Sequence, residues 1–162
     1  MTALGWLLKI VAIPVLLALA LVAATLVANQ VPLAAEPGIT ERLRTYLGSN
    51  RVETLAGSRF PEREPMVTVL PPAQAYQEAR EAVRDLGWEL LAENPDRYRL
   101  HAEVRTPILR FQDDFRLEIE SVTGGGSRIQ IRSSSRVGQA DFGANTRHLL
   151  DFQQVFQGRI SD

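Results

Sequence analysis

Residues 132–152 read RSSSRVGQADFGANTRHLLDF, which joins the end of a strand, a polar turn and the start of a helix. The strand half continues an alternating run from residue 128 to 135, with Ile129 and Ile131 on one side. The helix half starts at about Phe142 and has one stripe at helical spacing, formed by Phe142, Asn145, Leu149, Phe152 and Phe156. The stretch therefore predicts that a C-terminal helix packs on a sheet through this face.

The residues before this stretch predict the rest of the sheet. Residues 97–105 and 111–120 alternate between apolar and charged side chains, as half-buried strands do, with Phe111 and Phe115 inward in the second run. Gly124, Gly125 and Gly126 separate that run from the next, which indicates an antiparallel hairpin. Shorter apolar runs at 66–70 and 88–93 flank an amphipathic pattern at 73–86, so they predict two more strands around a helix.

These elements give the order β-α-β-β-β-β-α. It predicts an α+β fold, a two-layer sandwich with an antiparallel sheet of about five strands and two helices on one face. The opposite face carries arginines and carboxylates on adjacent strands, which are expected to pair across the sheet. A solvated, ion-paired surface is the simpler interpretation, and a face covered by a partner protein is the alternative.

The first part of the chain predicts a membrane anchor. Residues 10–28 are apolar apart from Thr25 and the kink-forming Pro14, and about 20 such residues are enough to cross a bilayer. A cleaved signal peptide is the alternative, but its apolar region is usually only about 7 to 15 residues. We therefore assign residues 1–31 to a transmembrane anchor, 32–64 to a linker with a short helix, and 65–162 to the α+β domain. Lys9 precedes the span, which favours a cytoplasmic N-terminus and a domain outside the cytoplasm, although Arg42 and Arg44 follow on the other side.

Composition excludes several function classes. The chain has 18 basic and 19 acidic residues, and this balance argues against the basic surface of a nucleic-acid-binding protein. It has no cysteine, which excludes disulfides, a thiolate nucleophile and cysteine-ligated zinc.

Strand alternation also predicts a polar junction between the sheet and the last helix. It puts Asp113, Ser133 and Ser135 on the inward face, and Asn145 lies on the inward stripe of the helix. Asp113 is expected to accept backbone N–H groups at the helix start or to pair with Arg136 or Arg147. A satisfied network that holds the helix to the sheet is the favoured interpretation, and a pocket in which Arg132, Arg136 and Arg147 bind an anion is the alternative.

Catalytic and metal-binding signals are weak. Ser133, Ser134 and Ser135 with His148 and Asp151 supply the residue types of a hydrolase triad, but the GxSxG turn is missing and the serines lie in a strand. His148 is expected on the helix surface. The spacing of the two histidines and the aspartates matches no recurrent metal-ligand pattern, and no cofactor motif is present. The sequence thus predicts no catalytic residue, no metal site and no cofactor.

The segments FQDDFRLEIE and IQIRSSSRVGQADFGANTRHL resemble the domain-of-unknown-function 1499 family. The resemblance spans about residues 65–156, and its signature is an aspartate pair followed by RSxSRxGxxDxGxNxxR. In this chain the signature residues are Asp113, Asp114, Arg132, Ser133, Ser135, Arg136, Gly138, Asp141, Gly143, Asn145 and Arg147. Many relatives also carry a cysteine-containing segment before the first strand; this chain has none, so any role tied to that segment does not transfer.

The resemblance implies a bacterial or plastid protein, often membrane-anchored, with no assigned activity. We therefore expect a membrane-anchored domain of the cell envelope that acts as a non-enzymatic binding or assembly module, with the membrane and an envelope protein as partners. The alternatives are an envelope hydrolase that uses a serine of the 133–135 run, and a module that binds an anion or lipid.

Overall fold

A computed structural model of the chain describes residues 3–106 and 110–161. The helices are α1 (Ala3–Ala28), α2 (Ile39–Gly48), α3 (Pro72–Asp85) and α4 (Ala144–Ser161). The strands are β1 (Arg51–Glu53), β2 (Met66–Thr68), β3 (Glu89–Asn94), β4 (Arg99–Arg105), β5 (Gln112–Ser121) and β6 (Ser127–Ser135). Short 3₁₀ turns lie at Pro61–Arg63 and Pro95–Arg97.

All strand pairs are antiparallel, and the sheet has the order β1-β6-β5-β4-β3. Strand β2 also pairs with β6, so β1 and β2 share one edge: Arg51 lies opposite Ser134 and Met66 lies opposite Ile129. This arrangement confirms the predicted α+β class and antiparallel sheet. The sixth strand, β1, lies in residues that the sequence assigned to a linker.

The main core fills the space between one sheet face and helices α3 and α4. Its largest fully buried apolar side chains are Phe115, Ile129, Val83, Leu149, Phe152 and Phe156. Strand alternation is therefore confirmed along β5 and β6. Phe111 is an exception: it precedes β5 beyond the end of the buried run, and its side chain is 48% exposed instead of inward.

Helix α1 contains the apolar segment Ile10–Ala28, whose mean hydropathy is 2.9 and of which only 6% is buried. By length and composition it could cross a membrane, as an anchor or as a signal sequence. Its last turns do contact the domain: Leu26 is buried in a second apolar cluster with Val31 and Tyr46, and Val22 and Phe142 pack at its edge.

The segment between α1 and β1 is held by a buried arginine. The Arg42 side chain is fully buried and donates to both oxygens of the Glu62 carboxylate, at 2.8 and 3.0 Å. It also donates to the Tyr46 hydroxyl at 2.7 Å and to the Ala35 carbonyl at 3.1 Å. The predicted short helix is present as α2, but its buried face is formed by Arg42 and Tyr46, while Leu47 is exposed.

Candidate functional site

The signature residues divide between the two faces of the sheet. Asp113, Ser133 and Ser135 point toward the helices, because alternate residues of a strand share a face. Asp114 and Arg132 point to the opposite face, and Arg136, just beyond β6, bonds there. The sequence predicted that the polar signature residues form one cluster, and the structure separates them. They are Asp113, Asp114, Arg132, Ser133, Ser135, Arg136, Asp141, Asn145 and Arg147.

On the helix side, Asn145 is the centre of a buried hydrogen-bond network. Its side chain is fully buried and accepts from the Ser133 hydroxyl at 2.6 Å. Its amide nitrogen lies within donating distance of the Asn50 carbonyl (2.9 Å), the Ser135 hydroxyl (3.0 Å) and the Asp141 carboxylate (2.7 Å). The network joins β6 and α4 to Asn50, the residue before β1, whereas Asp113, which the sequence placed in the same network, has a different partner.

Asp141 caps the N-terminus of α4. Its two oxygens accept from the backbone N–H of Gly143 at 2.7 Å and of Asn145 at 3.2 Å. These groups are among the donors that a helix start leaves without an intrahelical acceptor. Burial raises the pKa of Asp141, and the hydrogen bonds from Asn145 and Gly143 oppose this shift without cancelling it. The capping role predicted for Asp113 is thus taken by Asp141.

Asp113 pairs with His148, and the predicted partners Arg136 and Arg147 were wrong. The Asp113 carboxylate is fully buried, and its Oδ2 lies 2.9 Å from His148 Nε2. His148 is also buried, with Trp88 packed edge-on against its ring, so its predicted position on the helix surface was wrong. Among the described residues, Asp113 Oδ1 has no hydrogen-bond partner.

Arg147 and its neighbours hold the residues that follow α1. Arg147 forms an ion pair with Asp151 and donates to the Gln30 side-chain oxygen at 3.1 Å. Asn29 donates to the Phe142 carbonyl at 3.0 Å. We call this contact between residues 29–31 and residues 142–147 the anchor junction.

Gly143 allows the anchor junction to close. Its φ is +86°, and a Cβ added there would lie 2.5 Å from Cγ1 of Val31. Only glycine provides both this backbone conformation and this space. Phe142 also has a positive φ, 52°, and precedes α4, so it joins the second apolar cluster instead of the predicted helix stripe.

On the opposite face, Arg136 connects two acidic side chains. It donates to Glu103 at 2.7 Å and to Asp114 at 3.0 Å, and His101 Nε2 lies 2.8 Å from the same Asp114 oxygen. Partial burial works to raise the pKa of Asp114, but the hydrogen bonds from Arg136 and His101, with the charges of Arg116 and Arg136, lower it overall. The predicted cross-strand pairing of arginines and carboxylates is confirmed.

The same face forms a shallow groove of about 670 Å³ across β4, β5 and β6. Its charged lining includes Arg99, Arg116, Arg132, Glu53, Glu93 and Glu118. Arg132 pairs with Glu53 at 2.7 Å and Arg99 with Glu118 at 2.5 Å, so positive and negative groups alternate. In the part of the chain that the structure describes, no helix covers this face.

The serine run lacks the geometry of a hydrolase. Ser133 is fully buried and donates to the amide oxygen of Asn145, which is not a base. The imidazole of His148 faces Asp113 instead of a serine. Within residues 3–106 and 110–161, no group of three or more His, Asp or Glu side chains could hold a metal ion. The geometry gives no support to serine catalysis.

Sequence reasoning missed three residues of these networks. His148 lies three residues after Asn145 and four before Phe152, so helical spacing alone would have placed it on the buried stripe. Glu103 and His101 lie on the outward side of a strand, and only the antiparallel register with β5 brings them next to Asp114. Arg136 then donates to both Glu103 and Asp114. Their strand positions carry no signal of that pairing.

Comparison with known proteins identifies a family without an assigned activity. The family model "Protein of unknown function (DUF1499)" matches residues 43–156. No curated protein matches the chain.

Two solved structures are similar at low sequence identity. The crystal structure of Ara h 8.0201 is 12% identical, with a TM-score of 0.44 over 69% of this chain and 98% of its own. The crystal structure of DR_A0006 from Deinococcus radiodurans is 13% identical, with a TM-score of 0.41 over 67% of this chain and 95% of its own. Neither likeness bears on function.

Proposed function

The chain belongs to the DUF1499 family of proteins of unknown function, and we propose that it is a membrane-anchored, non-enzymatic binding module of the cell envelope. A partner protein binds the open face of the sheet. The observation that carries this proposal is that both helices of the domain lie on one face, while the other presents a charged groove of about 670 Å³.

The packing of α1 supports an anchor over a cleaved signal peptide. Leu26 and Val31 are only 7% and 9% exposed, and both pack against Tyr46. Cleavage after this segment would remove side chains that cover Tyr46 and Phe142 and would leave an apolar patch in water. This packing therefore favours a helix that stays attached to the mature protein.

We place the N-terminus in the cytoplasm and the domain outside it. Lys9 lies on the short N-terminal side of the span, and positive residues near a span tend to remain cytoplasmic. Arg42, which could compete on the other side, is fully buried and paired with Glu62. A C-terminal fusion to a reporter enzyme that is active only in the cytoplasm should be inactive; an active fusion would refute this topology.

The charges of the groove favour a protein partner over a small anion. Clefts lined by one sign of charge concentrate ligands of the other sign. Here three arginines face three glutamates, so the groove has little net attraction for phosphate or a lipid headgroup. A protein surface can present acceptors and donors in the same alternating order.

Site-specific photocrosslinking in cells tests the proposed surface. A photoreactive residue at Arg116 or at Gln130, both on the open face, should give the same discrete crosslinked product. A probe at Gln154, exposed on α4, is the matched control and should give none. Arg116→Glu should abolish the product from the Gln130 probe. Equal products from all three positions, or none, would contradict the proposal.

A further inference from the structure

We propose that the end of the sheet that holds the anchor junction lies directly on the bilayer, with Phe111 and Val137 inserted among the lipid headgroups. This inference rests on the proposed role of α1 as a membrane anchor. It goes further, because it fixes which part of the domain contacts lipid and leaves the open sheet face free for a partner.

The end of the apolar span packs directly against residues that contact the domain. Leu26 belongs to the apolar segment Ile10–Ala28 and is also buried in the second apolar cluster, to which the domain contributes Phe142. At about 1.5 Å of rise per residue, Leu26 lies about 3 Å from the end of the span. The 19 residues of the segment cover about 28 Å, which matches the roughly 30 Å hydrocarbon thickness of a bilayer. The anchor junction is therefore at headgroup depth.

The strand topology brings Phe111 and Val137 to this same end of the sheet. Residues 106 and 111 continue the β4–β5 ladder past the Arg105–Gln112 pair, through hydrogen bonds between Thr106 and Phe111. The backbone N–H of Arg136 donates to the Gln112 carbonyl, so Val137 follows beside that pair. Residues 138–141 then lead to Phe142 and the anchor junction, and Asn50 donates to the Gly138 carbonyl at 2.6 Å.

The exposed side chains at this end are both apolar and basic. Phe111 is 48% and Val137 is 58% exposed, so both present apolar surface at this end of the sheet. Arg51 and Arg110 are exposed at this end, and arginine beside apolar side chains suits the boundary between acyl chains and anionic headgroups. At the surface of a bilayer, the apolar side chains can contact acyl chains while the arginines contact headgroups.

The chain has no cysteine, so single-cysteine spin labels can measure the depth of chosen positions. The full-length protein is reconstituted in vesicles of phosphatidylethanolamine and phosphatidylglycerol. Labels replace Leu16 in the span, Phe111, Val137, and Val69, which is 91% exposed beyond β2 at the opposite end of the sheet. A high rate of collision between the label and oxygen indicates that the label lies in lipid. A high rate of collision with a water-soluble nickel complex indicates that it lies in water.

The Leu16 label should be accessible to oxygen and not to nickel, and the Val69 label should show the reverse. We expect the labels at Phe111 and Val137 to be less accessible to nickel and more accessible to oxygen than the label at Val69, because they lie at headgroup depth. If Leu16 reports lipid while Phe111 and Val137 match Val69, the surface contact is refuted and the anchor stands. If Leu16 itself reports water, the anchor fails and this inference fails with it.

Discussion

The substitution Gly143→Ala should destabilise the protein through the anchor junction. Gly143 has a φ of +86°, and an added Cβ would lie 2.5 Å from Val31 Cγ1 and 3.5 Å from Val31 Cβ. The backbone conformation and the contact are two independent penalties. The nearest atom belongs to a side chain, so Val31 would have to move out of its cluster with Leu26 and Tyr46.

The magnitude follows from these two penalties. A left-handed conformation at a residue with a Cβ costs about 1 to 2 kcal/mol. Overfilling a packed site by one methyl group costs about 1 to 3 kcal/mol. We therefore expect Gly143→Ala to lower the free energy of unfolding by about 2 to 5 kcal/mol.

Denaturant unfolding of the full-length protein in detergent micelles measures this change. The signal is the fluorescence of Trp88, which packs against Phe115, in a Trp6→Phe background that removes the other tryptophan. Gly48→Ala is the matched control, because no atom lies within 4 Å of the added Cβ. Its effect should stay within about 0.5 kcal/mol. Val31→Ala should relieve the contact but not the backbone strain, so the double variant should recover about 1 to 3 kcal/mol relative to additivity. A Gly143→Ala loss no larger than that of Gly48→Ala would refute the packing described here.

Three further predictions concern the networks around the junction. Asn145→Ala should lower the free energy of unfolding by about 1 to 3 kcal/mol for each buried partner left without a hydrogen bond, as measured by the same unfolding assay. An unchanged unfolding midpoint would exclude Asn145 as the centre of the network. Arg42→Ala should cost about 3 to 5 kcal/mol, because it leaves the Glu62 carboxylate without its buried partner, whereas the exposed Arg44→Ala should be close to neutral. The pKa of Asp114 lies below its ordinary 3.8, so the stability that its ionised carboxylate contributes is complete above that pH and is lost as the pH falls further. Asp114→Asn should therefore flatten the pH dependence of the free energy of unfolding in this acid range. An unchanged slope would contradict the pairing of Asp114 with Arg136.

The sequence predicted what depends on local periodicity. Alternation from residue 97 to 135 was sufficient to place β4, β5 and β6 and to separate their inward and outward residues. The polar residues on the inward side, Ser133 and Asn145, were therefore recognised as a junction before their partners were known. Periodicity predicts which face a residue lies on because that depends only on the local backbone.

The remaining features depend on contacts between residues far apart in sequence. Strand β1 has one buried residue, Val52, and three residues are too few for an alternating pattern. From the sequence alone, Arg42 would be placed on the solvated face of its helix. Its burial depends on the carboxylate of Glu62, which lies twenty positions later in the chain. The role of Gly143 is likewise visible only when Val31 is seen against it.

Two residues of the family signature hold the residues that follow α1 directly against the sheet domain: Gly143 leaves room for Val31, and Arg147 donates to Gln30. The most direct test is a distance measurement by pulsed electron paramagnetic resonance in lipid vesicles, between spin labels at Val27 on α1 and Gln154 on α4. Both positions are exposed, and each lies on a helix that the junction joins. A single narrow distance distribution, broadened by Gly143→Ala, is predicted. A broad distribution in the unsubstituted background would show that residues 29–50 act as a flexible linker and that the anchor junction does not hold α1 in place.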